Sequence, residues 1–213
     1  MKRDTAMNRI QVKLGFRGAT FLTTEITNAF LDAQEKLESR PLLPWFLRTE
    51  MSSITTVSGE ERVVTPSDFI REDEESALWY FDASADDADK WTEIVKDDQS
   101  VLRHKHPGDG PPIAYSIHGD YFRLFPTPDD VYTLKLAYYQ NDTLLETNIE
   151  NKWMLHASDL MIGLVGKDIA TDLRDADAIA IFKDMIIEGQ AQLVTDTEAR
   201  RHENARYIIG DLD

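Results

Sequence analysis

The chain has 213 residues, 39 of them acidic and 23 basic, for a formal net charge of −16 at pH 7. That charge repels phosphate backbones, and no Lys/Arg cluster is large enough to offset it, which excludes a reader of free DNA. Cysteine is absent, which excludes disulfides, thiolate catalysis and Cys-type zinc sites. The longest nearly apolar run, Leu160 to Gly166, falls far short of the ~20 residues of a membrane span. The N-terminal stretch lacks the apolar core of a signal peptide, so a soluble intracellular product without membrane association is expected.

The first clear element runs from about Thr24 to Ser39. There Leu22, Ile26, Ala29, Phe30, Ala33 and Leu37 recur at three- and four-residue steps and make one apolar stripe. Glu25, Asp32, Glu35 and Glu38 are assigned to the water-facing side, and Arg40-Pro41 stops the helix. From Pro44 the character turns to sheet. Trp45–Leu47 and Ser52–Val57 are aromatic and β-branched, and strand-like pieces follow at Arg62–Val64, Phe69–Arg71, Leu78–Phe81 and Trp91–Val95. Ile113–Ile117, a His118-Gly119-Asp120 turn and Tyr121–Phe125 read as a hairpin, which Val131–Tyr139 extends into a three-stranded antiparallel meander.

After Asn151 the chain returns to helix. Trp153, Leu155, Leu160, Met161, Ile162, Leu164, Val165, Ile169, Ala170 and Leu173 fall all around the wheel, the pattern of a helix buried on every side. A chain this short leaves part of that surface for a neighbouring subunit to cover, and Gly163 and Gly166 allow another backbone to come close. The final helix starts near Ala176. Its apolar arc ends at Leu193, and the same arc then holds Asp196, Arg200 and Glu203, so the helix is expected to leave its own core there. A polar extension tipped by Tyr207-Ile208-Ile209 reads as an arm reaching for a partner or as a frayed terminus. The fold class expected is α+β: a helical bundle (an N-terminal helix plus two C-terminal helices, residues 1–43 and 151–213, with the C-terminal arm) carrying a β-rich antiparallel insertion over residues 44–150.

Chemistry-bearing candidates are few. Asp82, Ser84, Asp86 and Glu93 fit positions 1, 3, 5 and 12 of a calcium loop, but Asp87 stands where the sharp turn needs glycine. Glu72, Asp73, Glu74 and Glu75 read as a solvated acidic run rather than a glycosidase pair. His104 and His106, near Asp109, form a His-x-His pair in a Lys/Pro/Gly-rich loop. They carry the alternative reading, a small metal-binding or metal-dependent hydrolase domain. No nucleophile elbow, P-loop or dinucleotide fingerprint occurs, so no catalytic residue and no cofactor is expected.

Several stretches carry a resemblance by their order and spacing. They are Arg9–Phe16, Gln34–Leu37 with Pro44-Trp45-Phe46-Leu47, Thr65–Ile70, Pro112–Gly119, Leu124–Asp129, Tyr132–Tyr139, Leu145–Asn151, Trp153–Leu155 and Asp159–Met161. From Arg9 to Leu193 the chain resembles the adaptor, or head-to-tail connector, proteins of tailed bacteriophages. The resemblance implies a non-enzymatic virion structural protein at the head–tail junction, assembled in the host cytoplasm. It implies a homo-oligomeric ring of about twelve copies, closed as heterologous interfaces close. The implied partners are the portal protein, tail or nozzle proteins, and genomic DNA passing through the lumen past acidic residues. It also implies that the C-terminal arm contacts the portal or a neighbouring subunit, through Arg200, Arg206, Tyr207, Ile208 and Ile209.

Overall fold

The computed structural model describes residues 1–15, 22–73, 77–82 and 90–209, without the side chains of residues 52 and 201–209. In chain order its elements are α1 (Arg3–Lys13), α2 (Thr23–Glu38), a 3-10 turn (Trp45–Leu47), β1 (Arg48–Thr55), β2 (Arg62–Val64), β3 (Phe69–Glu72), β4 (Leu78–Phe81) and β5 (Trp91–Lys96). They continue with α3 (Gln99–Lys105), β6 (Ala114–His118), β7 (Tyr121–Phe125), β8 (Thr133–Gln140), α4 (Lys152–His156), α5 (Ser158–Asp172) and α6 (Ala176–Ile209). The chain divides into two compact units, a helical one of Met1–Leu47 with Asp142–Asp213 and a sheet unit of Arg48–Asn141.

The expected fold class, a helical bundle with an antiparallel insertion, is overturned. The protein is a mixed α+β chain in which a large curled sheet is a principal element beside six helices among the described residues. Hydrogen-bonded strands run in the order β1-β8-β4-β5-β6-β7-β2, and β3 also pairs with β8. The meander is corrected too. β6 and β7 do form the hairpin, from Ala114↔Phe125 to His118↔Tyr121, but β8 pairs with β1, β3 and β4 and not with β7. Nor is the sheet wholly antiparallel, since β5 and β6 run the same way, with Val95 opposite Ala114. A parallel pair needs a crossover, and α3 supplies it. Asp98 caps α3 by accepting from Ser100 N at 2.8 Å, and Leu102 packs in a small cluster with Ala114 and Phe125.

The curled sheet closes around one apolar face, where Val63, Leu78, Tyr80, Ile94, Tyr115, Phe122, Leu124, Leu134, Leu136 and Tyr138 meet. Period-two alternation explains the membership: Leu134, Leu136 and Tyr138 point inward, while Lys135 of the same strand lies on the other side. There its Nζ sits 4.7 Å from the ring centre of Trp79 and 5.0 Å from that of Trp91. On the inner side Tyr115 donates to Glu72 Oε2 at 2.7 Å, and Lys96 pairs with the same carboxylate. Burial, then the bond to Glu72, raises the Tyr115 phenol far above its ordinary value.

In the helical unit α5 is the central element. Leu160, Met161, Ile162, Gly163, Val165, Gly166, Ile169 and Ala170 are buried on it, and α1, α2, α4 and α6 pack around it. Within the chain α6 covers much of α5 through glycines, while Leu155 and Leu173, at either end of the apolar run, stay exposed. A Cβ on Gly166 would lie 2.2 Å from the Phe182 ring, and one on Gly189 would lie 3.0 Å from Leu160 Cα. The missing side chain at Gly166 makes room for the Phe182 ring, and the one at Gly189 lets α6 approach the α5 backbone, which gains dispersion contacts at both places.

A second feature ties the chain's return to α2. Glu38, expected in water, is buried, and its Oε1 accepts from Trp153 Nε1 at 2.8 Å, Gln34 Nε2 at 3.0 Å and Asp142 N at 3.3 Å. Gln34 Nε2 also donates to Asp142 O at 3.1 Å, and Asn151 Nδ2 donates to Thr143 O at 2.8 Å. Asn151 Oδ1 then caps α4 by accepting from Met154 N at 2.9 Å. Burial raises the Glu38 carboxyl above its ordinary value, against the lowering effect of its hydrogen bonds.

Gly166→Ala should cost roughly 1–3 kcal/mol by overpacking, read by urea denaturation, and Phe182→Leu in the same chain should recover part of the loss. Glu38→Ala should cost about 1–3 kcal/mol, because it strands the indole N–H of Trp153 and the amide of Gln34. Since the folded state favours protonated Glu38, its contribution is complete below pH 4.5 and is lost as pH rises through the elevated folded value. The stability difference between Glu38→Gln and the parent should therefore grow in favour of the glutamine variant from pH 4.5 to pH 7.

Candidate functional site

The elements of the helical unit bring an aromatic cluster together. Pro44 ends the loop after α2, and the 3-10 turn that follows presents Trp45 and Phe46. Phe46 meets Trp153 edge-on, with ring centres 5.1 Å apart, and stacks on His156 at 5.1 Å. His156 in turn meets Trp45 at 4.8 Å. The guanidinium carbon of Arg200 lies 3.7 Å from the Trp45 ring centre, a close cation–π contact. Burial, then the charges of Arg200 and Lys152, hold the His156 imidazole below its ordinary value, while Asp142 acts in the opposite sense.

Beyond Leu193, α6 therefore does not leave its own chain where the apolar arc ends. Thr197 is buried and its Oγ1 donates back to Leu193 O at 2.7 Å, while Arg200 lies on Trp45 one turn later. The contact was hidden in the sequence because a buried threonine and an arginine on an aromatic face leave no apolar signature. Two grooves flank this region. One of about 290 Å³ is lined by Leu42, Pro44, Trp153, Leu193, Val194 and, at its rim, Arg40, with no acidic residue. A larger one of about 710 Å³ sets Arg9 and Lys13 of α1 against Asp159 and Glu188.

Of the other residues singled out in the sequence, Arg206, Tyr207, Ile208 and Ile209 continue the backbone of α6, and their side chains lie outside the described ones. Ser84, Asp86, Asp87, Asp89, Glu74 and Glu75 lie outside the described residues. Glu72 is engaged by Lys96 and Tyr115, and Asp73 is buried and paired with Arg48, so neither belongs to a solvated run. His104 and His106 are not in a loop: His104 occupies the last turn of α3 and His106 is its C-cap. Cations at a helix C-terminus are favoured by the exposed carbonyls there, which accounts for the run Arg103-His104-Lys105. Among the described residues, no group of three or more His, Asp or Glu side chains is placed to hold a metal ion, and no helix is long and apolar enough to cross a membrane.

A protein-family model described as SU10 adaptor protein matches residues 1–207. No curated protein matches the chain. For the histidine pair, changing His104 and His106 together to alanine should leave thermal stability and assembly behaviour unchanged, and elemental analysis should find no difference in bound zinc between the variant and the parent. Loss of a stoichiometric metal in the variant would reinstate the metal reading.

Proposed function

The chain belongs to the SU10 adaptor protein family, a family of phage head-to-tail adaptors, and we propose that it assembles as a ring of about twelve copies beneath the portal. In that place it extends the DNA channel and offers the platform on which tail or nozzle proteins dock. It is a structural component of the virion's head–tail junction, assembled in the host cytoplasm, and it carries out no catalysis and needs no cofactor. The observation that carries this reading is the family match along nearly the whole chain.

The charge distribution supports it. Residues 48–141, the sheet unit, hold 19 acidic and 9 basic side chains, so this unit is the one suited to face passing DNA. Like charge repels phosphate, and a genome slides past such a wall without counterion-releasing contacts. The distal part of α6 is the docking arm, with Arg200 and Arg206 pairing with carboxylates of the portal or a neighbouring subunit and Tyr207, Ile208 and Ile209 as the desolvated anchor.

Light scattering on a sizing column, of the protein alone and then mixed with the portal ring encoded in the same genome, tests the assignment. Stoichiometric uptake onto the portal is expected, and failure to bind over a range of salt by a well-folded chain would overturn it. A chain ending at Arg200 keeps Thr197 and Arg200 in place; it should retain the parent's circular dichroism and melting curve yet lose portal uptake. Normal uptake by that truncated chain would remove the arm from the docking role.

A further inference from the structure

The arm that the proposed function assigns to docking is engaged by its own chain. Arg200 covers the Trp45 ring at 3.7 Å, and Thr197, three residues earlier, is the last buried side chain described on α6. His156 meets Trp45 edge-on at 4.8 Å and stacks on Phe46 at 5.1 Å. Arginine, indole and imidazole thus form one contiguous cluster that connects α6 to the 3-10 turn and to the end of α4.

We propose that Arg200 on Trp45 is an autoinhibitory latch, which holds the distal turns of α6 on their own subunit until a partner carboxylate takes Arg200, and that protonation of His156 opens it. The inference rests on the adaptor reading for the identity of the partner, and on geometry alone for the latch. An arginine stacked on an indole keeps its N–H groups at the ring's edge, where a carboxylate can compete for them bidentately. A charge-assisted pair of this kind outweighs a half-exposed cation–π contact, so docking and release are one exchange.

The gate follows from what faces His156. From α6 comes Arg200, from its own helix Lys152, and from the segment before α4 Asp142, while the 3-10 turn contributes only the uncharged rings of Trp45 and Phe46. Two cations against one anion, together with burial, disfavour the imidazolium in the closed stack. The closed latch is therefore fully stabilised above the ordinary histidine value of 6.5. Its advantage is lost progressively as pH falls below that value toward the depressed one, because the open form takes up the proton more readily.

Hydrogen exchange on the free full-length chain, corrected for intrinsic rates, tests the latch without a portal. In the parent, amides of residues 197–209 should exchange roughly tenfold faster at pH 5 than at pH 7.5. Arg200→Gln and Trp45→Leu should exchange fast at both pH values, and His156→Phe slowly at both. Equal exchange of the parent and both latch variants at pH 7.5 would overturn the latch. A pH dependence that survives in His156→Phe would overturn the gate. Mixing with portal at pH 7.5 then reads the inhibition. Trp45→Leu, which leaves Arg200 available, should associate several-fold faster than the parent, and an unchanged rate would overturn autoinhibition. If exchange behaves as expected but neither chain binds portal, the latch stands and the adaptor assignment falls.

Discussion

A single buried carboxylate organises the place where the chain re-enters its helical unit. Glu38 gathers the indole N–H of Trp153, the amide of Gln34 and the backbone N–H of Asp142 on one oxygen. Ninety-four residues of sheet intervene between Leu47 and Asp142, and the two ends of the helical unit must still meet in one register. Apolar packing alone is tolerant of small slides between helices, whereas a buried acceptor that must satisfy three donors from separate segments is not. The network costs desolvation, visible in the raised Glu38 carboxyl. It returns positional definition at the N-terminus of α4, which Asn151 completes as the cap.

From that fixed point the other arrangements follow. Placing Trp153 puts its ring against Phe46, and α4 is only five residues long, so His156 falls against Trp45 and Phe46 within one turn. The backbone breaks at Ala157, where it leaves helical geometry, and α5 then enters the centre of the unit with eight of its fifteen residues buried. The glycines of α5 and α6 set the separation of those two helices, and this in turn determines where α6 passes Trp45.

Legibility in the sequence was uneven for physical reasons. The stripe of α2 from Ile26 to Leu37 and the strand runs at Arg62–Val64, Leu78–Phe81 and Tyr121–Phe125 were readable because a half-buried element must alternate with its own period. Helix α1 was not read: charged Arg9 and Lys13 mask the spacing of Met7, Ile10 and Leu14, although that spacing was itself the available signal. Helix α3 was missed because seven residues bury only Leu102, too little for a periodicity to show. Strand partners lay further out of reach, since nothing local in Thr133–Gln140 says that it pairs with β1, β3 and β4 instead of the strand just before it. Glu38 was misplaced because a charged side chain reads as solvated until the group that receives it is known. The family, by contrast, was legible through the order of many small pieces along the chain.

The length of α6 has a mechanical consequence. Its thirty-four residues extend about 51 Å at 1.5 Å per residue, held at Gly189 on α5 and at Arg200 on Trp45. The nine residues beyond Arg200 are a lever of roughly 13 Å. A tilt of about 5° at Arg200 displaces the tip by roughly 1 Å over that length, and release of Arg200 from Trp45 lengthens the lever. Compliance concentrated at the end of a single long helix lets its tip follow an uneven surface while the core of the unit stays unstrained.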